Sequence, residues 1–152
     1  MGTFSVRKAK VNDLQELAIL FDEYRQFQKQ PSDLRAAQAF LLDRINREES
    51  VVFVCFEDSV PVGFGQIFPS FSSVSLSRIF ILNDLFVKQT SRGKGVASLI
   101  LSEIEAFAWS LGSARISLNV AINNPSAKAL YERIGWKRDD QYFMFHRFPK
   151  ID

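Results

Sequence analysis

Apolar and polar positions change period several times along this chain, and each change marks an element. Phe4 to Ala9 alternates as a short strand does. Asn12-Asp13 then offers a helix cap, with Glu16 placed to complete a capping box. Leu14, Leu17, Ala18, Phe21, Tyr24 and Arg25 follow at helical spacing, and Gln30-Pro31 stops the run. Asp33 caps a second helix whose apolar face is Ala37, Phe40, Leu41 and Ile45. After Ser50 the period becomes that of strands. Val51 to Phe56 and Pro61 to Phe68 form a hairpin around Glu57-Asp58-Ser59, with Gly63 and Gly65 allowing a bulge. Ser75 to Val87 is a third long strand. The next helix carries Val96, Ile100, Ile104, Phe107, Ala108 and Leu111 as its stripe, and Gly112 ends it. Ala114 to Val120 is a further strand. Asn124 caps a helix with Pro125 at its first position and Gly135 at its end, and Gln141 to Phe148 alternates as a closing strand.

Helices among early strands, then a strand–helix–strand–helix–strand unit, predict an α/β (α+β) domain with helices on both faces of one mixed sheet. Its 152 residues suit a single domain spanning 1–152, long enough to bury about two-thirds of its unfolded surface. Composition then removes whole classes of chemistry. One cysteine, Cys55, and one histidine, His146, supply neither a disulfide nor a structural zinc site, so no metal is expected. A triad would rest on His146 alone, with no Gly-x-Ser-x-Gly elbow. A net charge of +2 is too small for a nucleic-acid footprint. No apolar stretch is long enough for a membrane span, and the N-terminus reads as neither a signal peptide nor a myristoylation site. A cytoplasmic protein is the expectation.

The informative stretch runs from Asn83 to Ala97, where a strand ends and a helix begins across Arg92-Gly93-Lys94-Gly95. Backbone N–H groups at a helix start are unpaired and carry the positive end of the dipole. Glycine lets that backbone approach a phosphate closely, and Lys88, Arg92 and Lys94 add positive charge. The spacing is not a P-loop, since position 88 is Lys rather than Gly, nor a dinucleotide fingerprint, since position 98 is Ser. A glycine pair between strand and helix also serves simply to make a turn.

Arg92-Gly93-Lys94-Gly95-Val96-Ala97 resembles the Gln/Arg-x-x-Gly-x-Gly/Ala signature of the GNAT acyl-CoA-dependent N-acetyltransferases. Asp84-Leu85-Phe86-Val87 looks like the strand leading into it. Asn124-x-x-Ala127-x-x-Leu130-Tyr131-x-x-x-Gly135-Trp136 is similar to the family's second block, in the expected order and separation. The resemblance implies the GNAT fold, a mixed, mostly antiparallel sheet of about six to seven strands flanked by about four helices. It implies acetyl-CoA as co-substrate, its pyrophosphate on the backbone amides of Gly93, Lys94, Gly95, Val96 and Ala97 beside Arg92. Leu85, Phe86 and Val87 would meet the pantetheine and acyl groups where this strand splays from the one near Arg115, and Asn124 would add a contact. Tyr131 matches the family's frequent general acid, although its spacing alone equally suits a helix core.

The base is less clear. Some diamine-acetylating members carry a Glu-Asp pair where this chain has Asn83-Asp84, and an amide cannot accept the proton. Asp84 is therefore open as base, as anchor for a substrate ammonium, or as a core-facing partner of the helices. His146 is either structural, substrate-lining or the base. Tyr24 and Phe27 resemble the aromatic helix end that lines acceptor pockets in several members, against ordinary core packing. Cys55 reads as core filler. The implied reaction is direct attack of a small-molecule primary amine, of diamine, amino-acid or aminoglycoside type, on the thioester. A protein or peptide amine, a CoA-binding regulatory module without catalysis, and an interaction domain with a structural glycine loop are the alternatives. A homodimer is compatible with such folds.

Overall fold

A computed structural model describes residues 2–151. They form two compact units, Met1–Asn119 and Val120–Asp152.

The first unit is organised around a five-stranded sheet in the order β1-β2-β3-β4-β5: β1 Phe4–Lys8, β2 Val51–Glu57, β3 Val60–Ser72, β4 Ser77–Val87 and β5 Ile116–Ser117. The first four strands are antiparallel neighbours, and β5 joins β4 in parallel. The mixed, mostly antiparallel sheet is the one expected. It has five strands among the described residues rather than six or seven.

Helices α1 (Leu14–Phe27) and α2 (Leu34–Asn46) cover one face, where Leu14, Leu17, Leu20, Phe21, Ala37 and Leu41 bury themselves against Val52, Val54, Phe56, Phe64 and Phe86. The opposite face belongs to α3 (Val96–Ser110). Gly63 and Gly65 have no side chains to hold α3 away, so Val96, Ile100 and Ile104 sit directly on β3. Phe107 of α3 packs edge-on to Phe53 and tilted against Phe80. A bulge does fall beside Gly63, where Val62 is the extra residue opposite Cys55 and Phe56. Cys55 is fully buried core, and burial pushes its thiol up.

The helix caps divide. Asp33 accepts from the Ala36 N–H and starts α2 as expected. The capping box at Asp13 and Glu16 does not form. Residues Val11–Asp13 make a 3-10 turn first, and the Asp13 carboxylate turns back to the Lys10 N–H and the Arg7 guanidinium. Two charge-assisted donors on one side outcompete a helix N–H.

Two strands are shorter than their sequence pattern. The run from Ala114 to Val120 contributes only Ile116–Ser117, paired with Phe80 and Ile81. In the second unit, α4 (Pro125–Arg133) forms with Asn124 accepting from the Ala127 N–H, and Gly135 takes a left-handed conformation beyond its end. The expected closing strand from Gln141 to Phe148 is absent. Alternation prepares two faces for a strand, but a strand also needs an edge to pair with, and among the described residues none pairs there.

Candidate active site

β4 is the spine of the site. It pairs with β3 in regular antiparallel register from Ser77 to Leu82 and again from Asp84 to Val87, with Asn83 as an extra residue opposite the Gln66/Ile67 step. A bulge of this kind re-aims side chains. Here it sends Leu82, opposite Ile67, and Asp84, opposite Gln66, to opposite faces although they are two residues apart, and Asn83 between them stays exposed. Gln66 and Asp84 fall on the same face as Phe64 and Phe86, the face covered by α1.

On its other edge β4 pairs with β5 only as far as Ile81. Residues Leu82 to Val87 therefore present a strand edge with no ladder partner in the sheet of the described residues. Unpaired N–H and C=O groups on such an edge are a template for an extended ligand.

The edge leads straight into the glycine loop. Lys88 donates its N–H to Val62 O, Gln89–Ser91 makes a 3-10 turn, and Gly93 and Gly95 take positive φ of 75° and 82°. Gly95 is the N-cap of α3 with no side-chain cap on the helix start. Nothing lies within 4 Å of where a Cβ would stand on either glycine. The glycines are required by backbone conformation, and the space above them is open.

Arg92 ties this loop to the α1 face. Its Nε donates to Val87 O at 2.9 Å, and its guanidinium lies 5.2 Å from the Phe27 ring centre and 5.5 Å from that of Phe86. Tyr24 sits 5.8 Å from Phe86 and edge-on to Phe64 at 5.6 Å. Tyr24, Phe27, Phe86 and Arg92 are thus one cluster. Phe27, 57% exposed, is a wall of it rather than core.

Beneath this cluster is a polar chain that the sequence reading missed. The Ser50 hydroxyl donates to Gln66 Oε1 at 2.7 Å, and Gln66 Nε2 donates to Asp84 Oδ2 at 2.7 Å. Asn83 Nδ2 donates to Asp84 Oδ1 at 3.2 Å. Gln66 is fully buried, and Asp84 and Ser50 are each 7% exposed. A signal existed: Gln66 is the one polar side chain in the run from Val62 to Phe68, on a strand buried on both faces. Asn83, unable to be a base, supplies a donor to its neighbour.

Tyr131, Asn124 and His146 belong to the second unit. Burial pushes the Tyr131 hydroxyl up to about 12, so at neutral pH it is a proton donor and not a base. Its ring packs 5.6 Å from that of Trp136, whose backbone N–H donates to the Tyr131 main-chain carbonyl. His146 is exposed beside Phe148. Among the described residues no cluster of His, Cys, Asp and Glu is arranged to hold a metal, and no helix is long and apolar enough to cross a membrane.

Comparison with known proteins meets this geometry at the level of family. The profile of the acetyltransferase (GNAT) family matches residues 14–136. The chain belongs to the acetyltransferase (GNAT) family. It is an acyl-CoA-dependent acetyltransferase. An N-acetyltransferase of Bacillus subtilis (strain 168), YhfO, is 42% identical over 135 residues, 89% of this chain and 91% of that one. The L-ornithine N5-acetyltransferase of Arabidopsis thaliana is 30% identical over 98 residues, 64% of this chain and 38% of that protein. A crystal structure of a probable acetyltransferase has a TM-score of 0.89 at 35% identity, covering 97% of this chain and 99% of that one. The GNAT family uses acetyl-CoA. The open glycine loop, its cations and the unpaired β4 edge are a donor set that suits a long ligand with a pyrophosphate.

Proposed function

We propose that this GNAT acetyltransferase acetylates the primary amine of a small molecule, and that Asp84 anchors the ammonium form of that amine. The observation that carries this reading is the buried Asp84 carboxylate, held by amide donors on both oxygens beside the Tyr24–Phe27–Phe86 cluster. Donors on both oxygens hold the carboxylate in place as a partner for an ammonium group. A carboxylate has about four lone-pair sites, so capacity remains on both oxygens for an incoming N–H. The aromatic wall suits the alkyl stem and cationic end of such an acceptor. A relative that acts on L-ornithine agrees with an acceptor of this size and charge.

In this reading the backbone N–H groups from Gly93 to Ala97 hold the pyrophosphate, with Arg92 and Lys94 adding charge. The main chain of Leu85, Phe86 and Val87 pairs with the pantetheine arm along the edge left free beyond Ile81, and Asn124 adds a contact. Acetyl-CoA, when bound, supplies the acetyl thioester. Tyr131 keeps its proton until the thiolate leaves, which its raised hydroxyl suits. A homodimer and a cytoplasmic setting remain part of the proposal.

The test is free-thiol release from acetyl-CoA over L-ornithine, L-lysine, spermidine, kanamycin and a peptide with a free N-terminus. Release with one of the small amines and not with the peptide is expected. Release with the peptide alone would replace the small-molecule reading. Tyr131→Phe is expected to lower turnover by about 10²- to 10⁴-fold with acetyl-CoA affinity unchanged, and unchanged turnover would remove Tyr131 from the reaction.

A further inference from the structure

We propose that Gln66 is a positioning residue for acetyl transfer: its amide, hydrogen-bonded to Ser50 at the far end, holds the Asp84 carboxylate as an oriented anion for the acceptor. The inference rests on the reading of Asp84 above and extends it to two residues outside the family signature.

The argument begins with direction. A glutamine amide offers an acceptor at Oε1 and donors at Nε2, and its two ends have nearly the same shape. Packing alone does not choose between them. Here the Ser50 hydroxyl donates to Oε1, which leaves Nε2 to face Asp84, at 2.7 Å on each side. Reversed, the amide would put Oε1 against a carboxylate oxygen, two acceptors with no proton between them. In this chain Asp84 accepts at both oxygens, as an ammonium anchor must.

Burial gives the chain its weight. A fully buried amide bridging to a carboxylate across β3 and β4 is destabilising unless both its ends are satisfied. The bridge also spans the bulge, joining Gln66 to Asp84 just where the register with β3 shifts. It therefore locks the side chain whose aim the bulge sets. Asn83 is on the same strand and exposed, so it cannot lock Asp84 from the core side. Arg92 lies over Phe86 on this face, with Arg7 over Phe56 and Arg44 over Phe40 farther off, and all three are unchanged in every variant below.

The experiment uses Gln66→Met, which keeps length and removes the donor, with Ser50→Ala and Ser50→Thr. Steady-state kinetics use acetyl-CoA and whichever small amine of the panel releases thiol fastest. Gln66→Met should lower kcat/KM for the amine about 10- to 100-fold, as loss of a hydrogen bond to a charged group does. KM for acetyl-CoA should not move. Ser50→Ala should give a smaller loss in the same direction, and Ser50→Thr, which keeps the hydroxyl, should restore it. A carbon-13 carboxylate spectrum at neutral pH, assigned with Asp84→Asn, reads the lost donor as a changed Asp84 chemical shift without any amine. A folded Gln66→Met with native kcat/KM for the amine and an unmoved Asp84 carboxylate signal overturns the proposal, since a purely structural role would lower only stability. Should Gln66→Met fail to fold, Ser50→Ala decides, and native behaviour there overturns it. Native amine kinetics in Asp84→Asn would instead sink the anchor reading while leaving the carboxylate-signal result standing.

Discussion

On the α3 face of the sheet, Gly63 and Gly65 bring Val96, Ile100 and Ile104 down onto β3 with no polar group between them. On the α1 face, the same strand turns Phe64 and Gln66 into a region of stacked rings and one buried carboxylate. The two faces divide the labour of one strand pair. Close packing against glycine holds the start of α3, and with it the open glycine loop, at the end of β4. The α1 face carries the groups proposed to recognise the amine. Scaffold and chemistry are thus a single residue apart along β3 and along β4. That arrangement gives precision, and it makes the two faces separable by mutation.

The largest expected effect falls on the chemical face. Asp84→Asn keeps the shape and removes the charge, and losing one partner of a desolvated charge pair costs about 2–5 kcal/mol. At about 1.4 kcal/mol per decade, kcat/KM for the amine should fall by roughly 30- to several-thousand-fold. Protection against heat by acetyl-CoA should be unchanged, because the glycine loop belongs to the other half of the comparison. Equal losses in amine turnover and in that protection would show that the two faces do not separate.

How far the sequence disclosed each face differs in kind. The α3 face was legible because helical spacing is local: Val96, Ile100, Ile104 and Ala108 read as one stripe and are all buried. The same holds for Leu14, Leu17, Ala18 and Phe21 of α1. Gly95, Gly112 and Gly135 were legible as punctuation, and each has positive φ. The polar chain was not. Ser50, Gln66 and Asp84 come from three separate stretches and meet only through strand register and the bulge at Asn83, neither of which a local pattern encodes. The C-terminal alternation failed for a related reason, since it specifies faces and leaves the partner edge unstated.

A smaller effect is expected from the packing face. Gly65→Ala would set a Cβ 2.8 Å from Ile104 Cδ1 and 3.0 Å from Ile100 Cγ2, both on fully buried side chains. Overpacking of this kind costs about 1–3 kcal/mol, or roughly 2–4 °C in Tm per kcal/mol for a chain of this size. Differential scanning calorimetry should record the drop, while kcat per folded molecule stays near native. Phe27→Ala should do the reverse. With its ring 57% exposed it contributes little to stability, and it should raise KM for the amine. A Gly65→Ala protein that kept its Tm would mean that α3 can lift off β3 at little cost, and the division between the faces would lose its mechanical half.

The smallest effect tests how the chemical face is held from outside. Asp22 on α1 accepts from the Ser32 hydroxyl at 2.6 Å, the Asp33 N–H at 2.8 Å and Gln26 Nε2 at 3.1 Å, so it joins α1 to the start of α2. The Ser32 bond, then the Asp33 N–H, hold its carboxyl below the usual 3.8. A carboxylate depressed in the folded state contributes stability above its unfolded value, and that contribution is lost as pH falls through the folded one. Melting temperature should therefore decline below pH 3.8 in the native chain, with part of the decline absent in Asp22→Asn. At neutral pH the variant should melt lower, by about 1 kcal/mol for a weakened hydrogen-bonded junction. The atoms a Cβ on Gly65 would meet belong to Ile104, Ile100 and Leu85, so Gly65→Ala should shift the whole pH–stability curve downward without changing its shape. Identical acid limbs in Asp22→Asn and native protein would show that the junction is neutral to pH, and that α1 is held over the site by its apolar stripe alone.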